Sequence, residues 1–328
     1  MRKLSSLGKT KIICLIIAAI VFLFAVFQIG SYIESSLVPT VEPGSSSRTL
    51  EYNGQKYIPN SNVISVLLLG IDQDGEVRDS GYYRNDGLAD FIAVFAFNTR
   101  EKTCTVLQIN RDTMTDINVI GLGGKNAGTT YAQIALSHSY GNGLEDSCIN
   151  TKSAVSSLLK NIVISNYISL NMDGMALLND YVGGVQVTVK DDFSQVDSSL
   201  IQGETITLTG EQALTYIRSR SGVSDQTNLS RMSRQQEYMQ SFYSQLTKKI
   251  SENSDSISEI FNTLDPYLVT DCNTGVLSTF GDRILEYDFS GVVTISGETT
   301  IGEDGIEFYA DDDDLTQKVI NIFYTPEQ

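Results

Sequence analysis

The sequence predicts a three-layer α/β/α domain with a central mixed β-sheet, preceded by one transmembrane helix. Three observations lead there. An apolar run from Ile12 to Ile29 follows a basic N-terminus. From Val63 onward, short apolar runs rich in β-branched and aromatic residues alternate with segments of helical periodicity, the pattern of layered α/β domains. Two of these runs are joined by a tight turn, Asn98 to Lys102, so a hairpin enters the sheet and makes it mixed.

The N-terminal run is apolar but for Gln28 and, at ~18 residues, reaches the length needed to cross a bilayer. Arg2, Lys3, Lys9 and Lys11 precede it with no acidic residue among them. By the positive-inside rule, residues 1–11 stay in the cytoplasm, 12–30 span the membrane and the remainder is exported. A cleaved signal peptide is the rival. The run is longer than an ordinary signal core, however, and bulky Phe24, Phe27 and Gln28 stand where small cleavage-site residues belong. The expectation is a single-pass signal-anchor in the cell membrane with an extracellular C-terminal domain. Residues 31–60, with Pro39, Pro43 and the Ser45-Ser46-Ser47 run, read as a polar linker. Residues 61–328 read as one domain.

Charge and cysteine content exclude several functions. The chain has 40 Asp and Glu against 23 Lys and Arg, a net charge of −17, and the four membrane-proximal cations leave the exported part more acidic still. Such a surface lacks the basic footprint of a nucleic-acid binder. Cys14 lies in the membrane run. Cys104, Cys148 and Cys272 can form one disulfide at most, and no C-x-x-C spacing suggests structural zinc. A Ser-His-Asp triad would have to use His138, the sole histidine, whose flanks read as a loop.

Along the chain, Val63 to Leu69 reads as a buried strand ending at Gly70-Ile71-Asp72. Asp72 then sits beyond a strand's C-terminal edge, where α/β folds keep ligands. Residues 73–87 are a polar loop. Phe91–Phe97, behind Asp90, and Thr103–Ile109, ahead of Arg111 and Asp112, are the hairpin strands. Gly121 to Gly128 is glycine-rich without the strand-to-helix context of a phosphate loop and reads as a connection. Helices are expected at 130–137, 146–160, 175–181, from 208 to Arg218, 231–250, 257–264, 275–286 and 314–323. Strands are expected at 167–170 and 184–189, with a closing hairpin from 292–295 and 306–309.

Arg218, Arg220, Arg231 and Arg234 concentrate positive charge in one short stretch of this acidic chain. An extended 218–220 puts Arg218 and Arg220 on one face. A helix from 231 aligns Arg231, Arg234 and Gln235. Two basic faces joined by a loop suit an anion with several charges, because guanidinium groups bind phosphate oxygens in bidentate fashion. Pairing with surface carboxylates explains the pattern equally well. The apolar faces at 153–163 and 238–250 fit either a lipid tunnel or an ordinary core.

Six segments, in order, resemble the LytR-CpsA-Psr family of bacterial cell-envelope proteins. They are Leu67-Leu68-Leu69-Gly70-Ile71-Asp72, Leu88-Ala89-Asp90, Gln108-Ile109-Asn110-Arg111-Asp112-Thr113, Tyr181-Val182-Gly183-Gly184-Val185-Gln186-Val187, the stretch Leu208 to Arg220, and Arg231-Met232-Ser233-Arg234-Gln235. The likeness covers about Val63 to Leu246. It implies transfer of a glycopolymer, such as a wall teichoic acid or capsular polysaccharide, from a polyprenyl-pyrophosphate lipid to peptidoglycan at the cytoplasmic membrane. It further implies Asp72 and Asp90 as Mg²⁺ ligands. Arg111, Arg218, Arg220 and Arg231 become pyrophosphate ligands, with Gln235 as a partner and Arg234 beside them. This chain departs from the family pattern at Leu88, where an arginine is usual, at Phe91 in place of threonine, at Asn110 in place of proline and at Ser230 in place of glycine. Arg84, four residues before Leu88, is the candidate replacement.

Splitting a pyrophosphate with a sugar hydroxyl needs charge stabilisation and alignment above all. Arginines and Mg²⁺ would supply both. The hydroxyl also needs a base, and Asp112 and Asp72 are the carboxylates in place; Asp112 reads equally as the orienting partner of Arg111. Three rivals stand beside the transferase: a non-catalytic module that holds lipid-linked polymer, a pyrophosphatase that uses water, and a transcriptional regulator. The last conflicts with an exported acidic domain.

Overall fold

The computed structural model describes residues 49–121, 124–253, 255–303 and 305–327. Strands β1 (Leu50–Tyr52), β2 (Gln55–Pro59), β3 (Val63–Ile71), β4 (Ala89–Asn98), β5 (Thr103–Ile109), β6 (Met114–Ile120) and β7 (Asn126–Gln133) come first. Helices α1 (Leu136–Ser139) and α2 (Glu145–Leu158), strand β8 (Asn166–Asn171), helix α3 (Met172–Tyr181), and strands β9 (Val185–Thr188) and β10 (Thr205–Leu208) follow. Then come α4 (Gly210–Arg218), α5 (Asn228–Glu252), α6 (Ser256–Leu264), β11 (Leu268–Thr270), α7 (Thr274–Glu286), β12 (Asp288–Thr294), β13 (Gly297–Ile301), β14 (Ile306–Ala310), α8 (Asp312–Phe323) and β15 (Tyr324–Pro326).

The central sheet has the order β11-β8-β3-β4-β5-β12. Neighbours β3/β4 and β4/β5 are antiparallel, whereas β8 runs parallel to β3 and β12 parallel to β5. The sheet is therefore mixed, and the C-terminal ends of β3, β5 and β8 lie on the same edge as the start of β4.

Strand alternation sends residues to two different layers. Leu67, Leu69, Ile92, Val94, Leu107 and Ile109 enter the main core, with Val155 of α2, Leu159 just after it, and Val319 and Phe323 of α8. Val66, Leu68, Phe95, Phe97, Ile168 and Leu170 face the opposite layer, built by α5, α6 and α7. Helices on both faces explain why β3 reads as an unbroken apolar run rather than an alternating one. Gly70 is required where β3 meets β4: a Cβ there would stand 3.0 Å from the Cβ of Phe91.

Helix α4 begins with a capping box. The Thr209 hydroxyl accepts from the Gln212 backbone, and the Gln212 side chain accepts from the Thr209 backbone, so two orphan donors are satisfied together. Thr227 caps α5 by accepting from the Ser230 amide at 3.2 Å, so the helix starts at Asn228, three residues before the expected 231. These two caps fix the residues on which the arginines fall.

Several expectations change. The helix expected at 130–137 is mostly strand: residues up to Gln133 belong to β7, which pairs with β6 in antiparallel register, Tyr131 opposite Asp116, and only the short α1 starts within it, at Leu136. Spaced apolar residues there suggested a helical face, but Thr129, Thr130 and Tyr131 favour extended backbone and find a partner strand. Residues 292–295 do not close a hairpin with 306–309, because β12 joins the central sheet beside β5; the hairpin is β13 with β14. The expected linker 31–60 ends early: β1 and β2 form a sheet with β15, tying the start of the domain to its end. Among the described residues no helix is long and apolar enough to cross a membrane; the expected span at 12–30 lies outside the described residues. Cys104, Cys148 and Cys272 are free thiols.

His138 is not in an open loop. It is 1% exposed, and its Nδ1 lies 3.0 Å from the Gly87 carbonyl. With Asn85, whose side-chain amide donates to the carbonyls of His138 and Gly141, it pins the loop that leads into Asp90. Burial lowers its pKa to about 4, partly offset by the Gly87 contact. The fold thus refuses a proton that the unfolded chain accepts below pH ~6.5, so stability falls as pH drops from there toward 4. We expect about 3 kcal/mol of stability to be lost over that window through this one group. A His138→Gln variant should show a correspondingly shallower decline in urea unfolding between pH 7 and 4; an unchanged slope would assign the acid sensitivity to other groups.

Candidate active site

The shared sheet edge collects charged residues from five segments. Asp72 follows β3, and its amide donates to the Leu88 carbonyl at 2.9 Å. Asp90 is the second residue of β4. Arg111 and Asp112 follow β5. Over this edge converge the last residue of α4, Arg218, and the first turn of α5, which carries Arg231.

Asp90 is the hub. One of its oxygens accepts from Arg111, and the other lies 3.2 Å from Arg231 Nη1. The Asp90 side chain is 12% exposed and that of Arg231 4%. Arg218 Nη2 meets Asp72 Oδ1 at 2.5 Å in a half-exposed pair. The Arg220 guanidinium makes no hydrogen bond or ion pair among the described residues, yet it stands close enough for its charge to act on Asp112 and Arg231. The carboxylates that pair with the arginines are thus the site's own, not scattered surface groups.

Burial lowers the Arg231 pKa, and the charges of Arg111 and Arg220 lower it further, while Asp90 opposes them. Arg231 also sits at the positive end of a long helix, where a cation is disfavoured. Asp90 offsets part of this cost, and a bound anion would offset more of it. Asp112 is 3% exposed, and burial raises its pKa above the ordinary carboxylate range; Arg111, Arg231 and Arg220 pull the other way. Its Oδ1 is 3.3 Å from Arg111 Nε without hydrogen-bond geometry, and its Oδ2 has no partner at all.

Not every expected residue joins the cluster. Arg234 turns away from it: its guanidinium donates to the carbonyls of Tyr216 and Ser219, meets Asp191 Oδ2 at 2.7 Å and lies over the Phe193 ring. It clamps the end of α4 to the loop after β9: residue 234 lies only about 60° round the helix from 231, and the partners it finds in Tyr216, Ser219 and Asp191 draw its side chain the other way. Arg84 is exposed and lies 5.0 Å from the ring centre of Tyr140; the pinned loop carries it to that ring rather than to the position vacated at Leu88. Gln235 does reach the site, where its carbonyl accepts from Gln108 at 2.8 Å and its amide donates to the Ile217 carbonyl at 3.1 Å. Sequence reading missed Asn228, Gln108 and Asp191 as partners. The spacing of Asn228 and Arg231 was visible, but the rotamers that join them were not.

Below the charges lies apolar space. A cavity of about 90 Å³ is lined by Asp90, Arg218, Arg231 and Gln235 at one end and by Met175, Met239 and Phe242 at the other. A second cavity of about 160 Å³, with apolar walls, lies between the sheet and α5, α6 and α7. Leu68, Leu170, Leu178, Met239 and Phe242 are walls of both. The apolar face at 238–250 therefore lines this space, whereas Ala154, Val155 and Leu159 of the 153–163 face belong to the main core across the sheet.

Two carboxylates at one edge, with phosphate oxygens and waters to complete the shell, fit the way Mg²⁺ is held. Among the described residues no group of three or more His, Cys, Asp or Glu is placed to hold a metal ion.

A buried guanidinium cluster at the mouth of an apolar cavity defines a domain suited to an amphiphile with an anionic head. The chain belongs to the LytR_cpsA_psr family, whose model matches residues 35–323. An Enterococcus faecalis protein named polyisoprenyl-teichoic acid–peptidoglycan teichoic acid transferase TagU is 35% identical over 222 residues, 66% of this chain and 64% of that relative's length. The TagU of Bacillus anthracis is 27% identical over 299 residues, 89% of each chain. A solved structure described as TagT bound to LIIa-WTA shares the fold with a TM-score of 0.59 at 24% identity, over 80% of this chain and 91% of that one.

The geometry separates half-exposed arginines at the sheet edge from a buried structural one. A half-exposed pair such as Arg218–Asp72 contributes about 0–1 kcal/mol and Arg220 has no ion pair among the described residues, so Arg218→Ala and Arg220→Ala should leave the thermal transition nearly unchanged. Arg234→Ala strands the Asp191 carboxylate and two carbonyls, and should cost about 3–5 kcal/mol. Calorimetry of the three variants checks this; unfolding of the first two would make them structural as well.

Proposed function

We propose that this protein is a membrane-anchored phosphotransferase. It moves a glycopolymer of the teichoic acid class from a polyprenyl-pyrophosphate carrier to peptidoglycan outside the cell. The observation that carries the reading is the junction of the Asp90-centred arginine cluster with the apolar cavity, which matches the two ends of a lipid diphosphate. The names of the relatives support the same substrate class.

In this reading the isoprenoid lies along Leu68, Met239 and Phe242, and the diphosphate meets Arg111, Arg218, Arg220 and Arg231. Anchoring by residues 12–30 would hold enzyme and carrier at one surface. Asp72 and Asp90 would hold Mg²⁺, which when bound offsets phosphate charge. As the acceptor hydroxyl attacks phosphorus, the arginines stabilise the developing charge, and polyprenyl phosphate leaves as an anion that needs no proton. Asp112 is the preferred base: its Oδ2 is unpaired, while Asp72 is held by Arg218.

Purified full-length protein, given lipid-diphosphate-linked polymer and a peptidoglycan acceptor, should release polyprenyl phosphate and ligate polymer. Binding without release would favour the non-catalytic module, and release without ligation the pyrophosphatase. A base must be deprotonated, so kcat/KM should rise with pH through the raised Asp112 pKa, and Asp112→Asn should lower kcat by about 10²–10⁴-fold. An acid limb and rate that survive this substitution would exclude Asp112 as the base. Met239→Trp, filling the shared wall of the cavities, should abolish co-purification of an isoprenoid lipid as read by native mass spectrometry.

A further inference from the structure

We infer that Asn228, itself held by Asn110, is a positioning residue that sets the Arg231 guanidinium for the substrate diphosphate. The inference rests on the diphosphate reading of the site and adds to it a specific device.

Asn228 is 4% exposed in the first turn of α5, where Thr227 already supplies the cap. A buried amide is therefore not needed to start the helix. Its Oδ1 accepts from both Arg231 Nε, at 3.0 Å, and Arg231 Nη2, at 2.6 Å. Two contacts to one planar fork fix both the direction and the roll of the guanidinium. The Asn228 amide then donates to Asn110 Oδ1 at 2.5 Å, and the same oxygen accepts from the Asp112 backbone at 2.9 Å. Asn110 is 5% exposed. The relay thus runs from the turn that presents Arg111 and Asp112 to the helix that presents Arg231.

The donor count shows what the arrangement leaves free. A guanidinium has five N–H groups. Asn228 takes one on Nε and one on Nη2, and Asp90 takes one on Nη1. One N–H on each terminal nitrogen stays uncommitted, and Arg231 lines the cavity that also holds Arg218 and Gln235. Without Asn228 the fork keeps a single tether to Asp90, can swing about it, and leaves buried amide and guanidinium groups unpaired.

The test is a double-mutant cycle on the full-length protein in detergent, with geranylgeranyl diphosphate as the probe. Asn228→Ala should weaken probe binding about tenfold, the usual worth of a hydrogen bond to a charged group. Asn110→Ala, which acts one bond further away, should weaken it less. In an Arg231→Ala background neither substitution should have any further effect, whereas a general structural role would persist there. If Asn228→Ala fails to show a thermal transition, the same cycle is run with Asn110→Ala. Unchanged affinity in Arg231→Ala would overturn the diphosphate reading of the site. A loss in Arg231→Ala, combined with wild-type affinity in Asn228→Ala or additive losses in the double variant, would overturn the role of Asn228 alone.

Discussion

The Asp90 carboxylate is the interaction on which the site depends. It holds two guanidiniums from different segments, Arg111 after β5 and Arg231 in α5, in a setting where its own side chain is only 12% exposed. Two buried cations side by side repel one another and lose hydration. One carboxylate between them makes the pairing tolerable without neutralising it. With Arg218 and Arg220 nearby, cations outnumber the local carboxylates of Asp72, Asp90 and Asp112. The site concentrates guanidinium groups in a chain whose net charge is −17, a contrast that suits a phosphate-bearing ligand.

The sheet supplies the second constraint. Because β3 and β4 are covered on both faces, each sends alternate residues into two layers that differ in quality. One layer is filled, with Leu67, Leu69, Ile92 and Val94 at 0–1% exposure. The other leaves open apolar space between Leu68, Phe95 and the helices α5 to α7. Close-packed interiors rarely hold voids larger than a water molecule, since empty apolar volume costs stability. An apolar cavity that reaches the arginine cluster is therefore better explained by an occupant than by poor packing.

Departures from the family pattern also have local explanations. Leu88 stands where an arginine is usual, and Arg84 does not replace it, because Asn85 and His138 pin the intervening loop and leave Arg84 beside Tyr140. Asn110, in place of proline, gains a side-chain oxygen that proline lacks and uses it to join Asp112 to Asn228. The charge missing at one position and the amide added at another both bear on the same anion site.

Much of this was legible in the residues themselves. Apolar runs marked β3, β4, β5 and β8, the Asn98–Lys102 turn marked the hairpin, and helical periodicity marked α4 up to Arg218. Those signals are local: periodicity and turn chemistry act over a few neighbours. The clustering of Arg218, Arg220 and Arg231 was visible for the same reason. Tertiary structure alone decided the rest. It paired 126–133 as a strand with 114–120, moved 288–294 into the central sheet, and separated Arg234 from Arg231 although three residues divide them. It also chose Asn228 and Asn110 as supports. Pairing partners, side-chain rotamers and the choice of which apolar face stays unfilled depend on residues distant in sequence, and only the folded chain brings those together.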